Sequence, residues 1–287
     1  MIHLDLFSGI GGFSLGLKKV FNIKHTYFSE IDKYAIDVYK HNFKNSTYVK
    51  SVTDVRGRDL PRIDIITFGS PCQDFSLAGK RKGMGGERSS LITEAIRLIK
   101  ECRPSFFIWE NVKGTFSSNS GEDFWAIIQA FTNIGGYRLE WQLLNTKWFL
   151  PQNRERIYLV GCLGAGSGKQ IFPITENNRQ VNDIQGQQAN TCTLTTRYEA
   201  GGNGSYIIER ELDAQTLDSG GELAVIQNKI RRLTPVECER LQGFPDNWTK
   251  TGKELGEISD SQRYKMCGNA VTVNVVEAVA KKIKQVI

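Results

Sequence analysis

The sequence predicts an α/β fold: a doubly wound, mostly parallel sheet carrying a second, smaller lobe of irregular structure. Three observations on the 287 residues predict it. Short apolar runs alternate with amphipathic stretches through the first 165 residues, the pattern of a parallel sheet with helices on both faces. A glycine-rich turn links the first apolar run to the first amphipathic one. Near residue 164 the alternation stops and the composition shifts to Gly, Asn, Gln and Thr.

Strands are expected at 2–7, 24–29, 63–69, 105–109, 137–144 and 156–162, where β-branched and aromatic residues cluster in short runs. Helices are expected near 12–20, 32–43, 88–101 and 121–133. In the third, Leu91, Ala95, Leu98 and Ile99 recur at helical spacing. Gly164-Ala165-Gly166-Ser167-Gly168 reads as a flexible connection, and the region to about 230 as short strands and exposed loops. Its interspersed Ile, Val, Leu and Tyr favour a small lobe over a disordered insert. Thr234-Pro235-Val236-Glu237 forms a capping box with proline at the first helical position, so a helix should run to about Gln242 and stop at Gly243-Phe244-Pro245. A last helix follows Gly268-Asn269, with Val271, Val275, Ala278, Val279 and Ile283 on one face.

Composition narrows the class. Forty per cent hydrophobic and 24% charged residues suit a globular chain, and no apolar run is long enough to span a membrane. Ile2–Phe7 lacks the basic start and apolar core of a secretory leader, so a cytoplasmic location is expected. The six cysteines are widely spaced, without a C-x-x-C pair, which argues against a zinc site or a disulfide framework. The net charge of +6 is uneven: 23 basic against 16 acidic residues in 1–174, 9 against 14 in 175–261, and 5 against 1 in 262–287. A polyanionic partner would therefore meet the first segment, with Lys80-Arg81-Lys82 and Arg88 foremost, unless these are simply a solvated face.

Two motifs carry chemistry. The apolar run Ile63–Phe68 ends in Gly69-Ser70-Pro71-Cys72-Gln73-Asp74-Phe75-Ser76, which presents a thiol at the carboxyl end of a strand, where open α/β sheets bind ligands. Cys72 there is a candidate nucleophile. Asp5-Leu6-Phe7-Ser8-Gly9-Ile10-Gly11-Gly12 opens the first helix, but Ser14 occupies the final glycine position of a dinucleotide fingerprint. Glu30, about twenty residues on, is placed to accept hydrogen bonds from ribose hydroxyls. This suits a nucleoside cofactor without a diphosphate, such as S-adenosylmethionine; other nucleotides and a plain tight turn remain alternatives.

Together the motifs resemble the DNA cytosine C5 methyltransferase family, of bacterial or phage type, over most of the chain. The ordered signatures are Asp5–Gly12, Gly69-Ser70-Pro71-Cys72-Gln73, Glu110-Asn111-Val112, Gln152-Asn153-Arg154-Glu155-Arg156, Arg232-Leu233-Thr234-Pro235 through Pro245, and Gly268-Asn269-Ala270-Val271. The resemblance implies a Rossmann-like fold and methylation of a flipped-out cytosine in double-stranded DNA. Cys72 would add to C6, Glu110 would hold the N3 edge and share a proton, and Arg154 and Arg156 would organise the pocket. It places Phe7, Gly9, Gly11 and Gly12 around the methionine part of S-adenosyl-L-methionine and Glu30 on the ribose, with Ile31 beside it. Asp54 and Val55 are expected at the adenine, and Asn269 should arrive from the last helix. Gln73, Ser76, Lys80 and Arg81 would contact DNA from a mobile catalytic loop, and Arg197, Thr195 and Asn203 from the recognition lobe.

The same resemblance divides the chain into a catalytic and cofactor-binding domain, 1–174 with 262–287, and a target-recognition domain, 175–261. It implies no metal, monomeric action, a prokaryotic or phage-infected host, and a cognate restriction endonuclease acting separately as a candidate partner. Three other readings are weaker. A tRNA cytosine methyltransferase would carry a Cys-Phe-Thr signature that is absent, and a catalytically silent DNA-binding relative would not need Cys72, Glu110 and Arg156 together. A nicotinamide dehydrogenase has no use for Pro71-Cys72-Gln73.

Overall fold

A computed structural model of the chain describes residues 1–70, 91–164, 169–176, 206–212 and 226–287. Strands β1 (Ile2–Leu6), β2 (His25–Ser29), β3 (Ser46–Tyr48), β4 (Ile65–Gly69), β5 (Phe106–Val112), β6 (Tyr137–Asn145) and β7 (Glu155–Leu163) form one seven-stranded sheet. Its order is β3-β2-β1-β4-β5-β7-β6. The first five strands are parallel, whereas β7 runs antiparallel to both β5 and β6. Chain direction across the sheet reverses between β1 and β4, which makes the crevice at their carboxyl ends the expected ligand position.

Helices cover both faces, as the alternating pattern requires. α1 (Gly12–Lys18) and the last helix flank one face, and α3 (Leu91–Cys102) and α4 (Glu122–Thr132) the other, with α2 (Lys33–Asn42) following β2. Leu4, Leu6, Phe68, Phe107 and Trp109 point toward α3 and α4; Ile65, Phe106 and Ile108 point the opposite way. Burial on both sides explains why these strands read as continuous apolar runs.

The capping box forms as its sequence predicts. Thr234 caps α5 (Pro235–Leu241), and the Glu237 carboxylate returns to the Thr234 N–H at 2.7 Å. Two elements were not expected: β3, and α6 (Asp260–Asn269), which precedes α7 (Val273–Lys284). The stretch 233–258, grouped above with the recognition lobe, lies against the sheet domain. Gln242 O accepts from Val273 N at 2.9 Å, Trp248 Nε1 donates to Ile10 O at 2.9 Å, and the Asp37 carboxylate accepts from the Glu254 and Leu255 N–H groups. Upstream of it, β8 (Tyr206–Leu212) and β9 (Ile226–Arg232) pair as an antiparallel two-stranded ribbon leading into α5.

Candidate active site

A cavity of about 600 Å³ opens at the carboxyl ends of β1, β2, β4 and β5, at the switch point of the sheet. Its first wall is the turn after β1. Phe7 and Gly9 adopt left-handed conformations, φ 51° and 52°, and line the cavity. No atom comes within 4 Å of where a Cβ on Gly9 would stand, so the missing side chain leaves room for a ligand against the backbone. Gly11 and Gly12 build the turn from behind. A side chain on Gly12 would meet Val271 at 2.7 Å, so this glycine is what lets the chain after α6 pack against α1.

Glu30 follows β2 and is fixed by three backbone donors. Its Oε2 accepts from Gly9 N at 2.8 Å, and its Oε1 from Ile31 N at 2.7 Å and Asp32 N at 3.0 Å. The carboxylate thus ties the glycine turn to the second strand and stands in the cavity wall. Ile31 is 79% exposed at the mouth, an apolar surface free to meet a flat ligand. Beside it Lys265 Nζ lies 2.9 Å from Asp32 Oδ2, joining α6 to the start of α2. Burial opposes the Asp32 charge, but Lys265 and the Tyr34 and Ala35 N–H groups together hold its carboxyl below the usual range.

The neighbouring wall corrects one expectation. Ser51 and Val52 line the cavity, whereas the Asp54 side chain is exposed and Val55 is buried in the core. The cause is local: Lys50, at φ 67°, turns the chain four residues before Asp54, so the segment facing inward starts at Ser51. Asn269 and Gly268 reach the cavity from the end of α6, not from the last helix.

The opposite side carries the charged chemistry. Glu110 is paired in register with Gly69 on β5 and β4, and is 8% exposed. Arg156 Nε lies 3.2 Å from Glu110 Oε1. Arg154 is buried and also lines the cavity, with Nη2 donating to Gly268 O at 3.3 Å and Ala270 O at 3.0 Å, so it braces the α6–α7 turn. Ser70 is held by Trp109 Nε1 on its hydroxyl at 3.1 Å and by Asn111 Nδ2 on its carbonyl at 3.1 Å. That clamp fixes where the chain leaves β4, two residues before Cys72. Ser70 and Leu91, which flank 71–90, both line the cavity.

Cys72, Gln73, Ser76, Lys80 and Arg81 lie outside the described residues, as do Thr195, Arg197 and Asn203. Ser51, Val52, Lys265 and Met266 line the cavity without having been singled out from sequence. For Lys265 and Met266 the available signal was their position just before Gly268-Asn269; Ser51 and Val52 offered none. Among the described residues no cluster of His, Cys, Asp or Glu could hold a metal ion, and no helix is long and apolar enough to cross a membrane.

Comparison with known proteins agrees with this geometry. The model of the C-5 cytosine-specific DNA methylase family matches residues 1–203 and 169–285. Type II methyltransferase M1.ScrFI of Lactococcus lactis subsp. cremoris is 35% identical over 99% of this chain and 78% of its own length. Type II methyltransferase M.NlaX of Neisseria lactamica is 32% identical over 98% of this chain and 95% of its own. The crystal structure of the S. pombe Dnmt2 methyltransferase shares the fold, with a TM-score of 0.68 at 19% identity over 99% of this chain and 98% of that one. A signature sheet, a cavity at its switch point and family matches across nearly the whole length lead to one assignment: the chain belongs to the C-5 cytosine-specific DNA methylase family.

Proposed function

We propose that this DNA cytosine-5-methyltransferase takes its methyl group from S-adenosyl-L-methionine and delivers it to a flipped-out cytosine, within a short sequence of double-stranded DNA, through a covalent Cys72–C6 adduct. The observation that carries the reading is that one cavity joins the Glu30 wall to Glu110, Arg156 and the Ser70 end of β4.

The residues fit the donor. Gly9 leaves an open cradle against the backbone, and Glu30 holds an oriented carboxylate where ribose hydroxyls can donate. Ile31, Ser51, Val52 and Asn269 would enclose the nucleoside, and the bound donor would supply an electrophilic methyl group on a sulfonium sulfur. Its product would be S-adenosyl-L-homocysteine.

On the base side, C5 of cytosine is too weak a nucleophile to take a methyl group unaided. Addition of the Cys72 thiolate to C6 pushes an electron pair onto C5. Arg156 occupies Oε1 of Glu110, and Oε2 is left facing Gly69, where it can engage the N3 edge and deliver a proton as charge builds on the ring. C5 would then take the methyl group as the donor's S–CH3 bond breaks; the C5 proton would pass to a base, the N3 proton would return to Glu110, and the C6–S bond would break to return the thiolate. The target base must leave the helix to reach this depth. Asp54 and Val55 are not part of this proposal. Gln73, Ser76, Lys80, Arg81 and Arg197 are its DNA contacts, and Phe7, Gly11 and Gly12 shape the donor's turn. We propose that target recognition, expected over 175–261, is carried by the part upstream of α5, within 175–232.

The proposal includes a modification role beside a separately acting endonuclease, or phage self-protection, with the chain acting as a monomer in the cytoplasm. The test is methylation of plasmid DNA by the purified protein with S-adenosyl-L-methionine, read by base-resolution cytosine sequencing, beside Cys72→Ala. C5 methylation at one short motif, lost in the variant, is expected. Methylation retained by Cys72→Ala, or found on tRNA and not on DNA, overturns it.

A further inference from the structure

Beneath the glycine turn lies a ring of buried polar side chains that no step above uses. His3 and Asp5 on β1, Ser14 on α1, Tyr39 on α2 and Thr67 on β4 are all 0% exposed. Asp5 Oδ1 contacts Thr67 Oγ1 at 3.0 Å, and Thr67 Oγ1 contacts His3 Nε2 at 2.7 Å. His3 Nδ1 contacts Ser14 Oγ at 3.2 Å, and Ser14 Oγ returns to Asp5 Oδ2 at 2.8 Å, closing the circuit. Tyr39 OH sits beside it, 2.6 Å from Ser14 Oγ and 3.2 Å from Asp5 Oδ2.

Counting hydrogens fixes how many protons the circuit holds. With Asp5 ionised and His3 neutral, the four-membered circuit holds three hydrogens: one each on Thr67, His3 and Ser14. One of its four contacts must then bring two lone pairs together. One further proton completes it, and burial decides where it sits: on Asp5 it leaves the circuit without a charge, whereas on His3 it would leave two buried charges held apart by hydroxyls. Asp5 then donates to Ser14, Ser14 to His3 Nδ1, His3 Nε2–H to Thr67, and Thr67 to Asp5 Oδ1, while Tyr39 donates to Ser14 or Asp5. A buried carboxyl with no cation against it favours the same state. The groups facing the circuit from the packed elements agree. Glu30 after β2 opposes a charge on Asp5, and Lys18 on α1 opposes one on His3. Burial, chiefly, raises the Asp5 carboxyl to about 7 and lowers His3 to about 3.

The circuit joins the two ends of the turn. Asp5 stands just before Phe7–Gly12 and Ser14 just after it, so their hydrogen bond clips the loop at its base. Ionisation with His3 neutral would leave the circuit one hydrogen short, at Ser14 when His3 carries its proton on Nε2. It would also set a second negative charge behind Glu30. We propose that Asp5 is a positioning residue for the cofactor turn, uncharged in mildly acid solution, whose ionisation as pH rises through neutrality loosens the turn and weakens cofactor binding. The binding half of this proposal rests on the cavity being the S-adenosyl-L-methionine site; the protonation half does not.

Two measurements on the full chain test it between pH 5.5 and 8.5: carbon-13 NMR of aspartate carboxyls, and calorimetric affinity for S-adenosyl-L-homocysteine. One carboxyl resonance, missing from Asp5→Asn, should titrate near neutrality. Wild-type affinity should fall about tenfold from pH 6 to 8.5, while Asp5→Asn keeps the wild-type pH 6 affinity throughout. An Asp5 resonance already ionised at pH 5.5 overturns the protonation. A flat wild-type affinity, or a parallel fall in Asp5→Asn, overturns the coupling. Absence of S-adenosyl-L-homocysteine binding at every pH overturns the cofactor reading and the coupling with it, and the resonance still decides the protonation. Should Asp5→Asn not fold, Thr67→Val removes one donor to the carboxylate and should move the titration to higher pH; an unmoved titration counts against the circuit.

Discussion

Arg156 and Glu110 are diagonal neighbours across an antiparallel strand pair. Arg156 is in register with Val112, and its Nε reaches back to Glu110 Oε1 at 3.2 Å. The antiparallel course of β7 therefore sets the ion pair, since long side chains on one face span that diagonal. Both side chains are mostly buried, at 17% and 11% exposure, so removing one partner strands the other. Arg156→Met should lower unfolding stability by about 3 kcal/mol and kcat by about a hundredfold or more. Arg156→Lys, which keeps charge without the fork, should recover stability better than rate. Urea unfolding and single-turnover methylation separate the two effects.

Gly69 guards the other oxygen. A Cβ there would stand 3.2 Å from Glu110 Oε2, close enough to displace the carboxyl by a few tenths of an ångström. Gly69→Ala should reduce kcat about tenfold, the effect expected from misplacing the carboxyl proposed to share a proton with the base. Affinity for S-adenosyl-L-homocysteine should stay within about twofold, because a Cβ at Gly69 would meet Glu110 and not Glu30. Equal losses in both would mean the substitution disturbs the whole crevice.

Much of this site was legible because its signals are local. The Gly-rich turn, the acid at the end of β2 and Glu110-Asn111-Val112 each sit at a strand end that its own apolar run announces. What escaped depends on distant partners. α6 has no apolar stripe in Asp260–Asn269; the buried Arg263–Glu239 pair at 3.1 Å, with Thr249 beside it, secures it against α5. β3 is three residues long, and its existence rests on pairing with β2. Alternation in Ile2-His3-Leu4-Asp5-Leu6 suggests one wet face, yet His3 and Asp5 are buried because hydroxyls from three other elements meet them. The inward turn at Lys50, which exchanges Ser51 for Asp54, depends on a single backbone conformation.

Glu30 tests the cofactor side. It receives three N–H donors, which suits an acceptor-only carboxylate. Glu30→Gln turns one oxygen into an NH₂ that faces backbone N–H groups, whichever way the amide is flipped. Affinity for S-adenosyl-L-homocysteine should fall between about tenfold and a hundredfold, the cost of one or two lost charge-assisted bonds. With saturating donor, the rate on DNA should recover to within about fivefold. Calorimetry and donor-dependent kinetics check it; a lost kcat with intact affinity would move Glu30 away from the ribose.

Asp5 and His3 also make opposed contributions to stability. The folded Asp5 carboxyl lies at about 7, above its ordinary 3.8, chiefly through burial, so the folded state holds a proton that the unfolded chain releases. Its stabilising share is full below pH 3.8, declines as pH rises to about 7, and is then lost. His3 lies at about 3, below its ordinary 6.5, again chiefly through burial, so its share is lost as pH falls from 6.5 toward 3. Between pH 4 and 6.5 the two slopes offset each other. Asp5→Asn removes only the first, and its amide can donate to Ser14 and Tyr39 where Oδ2 now stands. The variant should therefore gain on wild type as pH rises from 4 to 7, by up to about 4 kcal/mol, and then keep a constant lead. Urea midpoints at pH 4.5, 6 and 8 measure that divergence. A constant offset at all three would mean that Asp5 is ionised in the folded chain throughout.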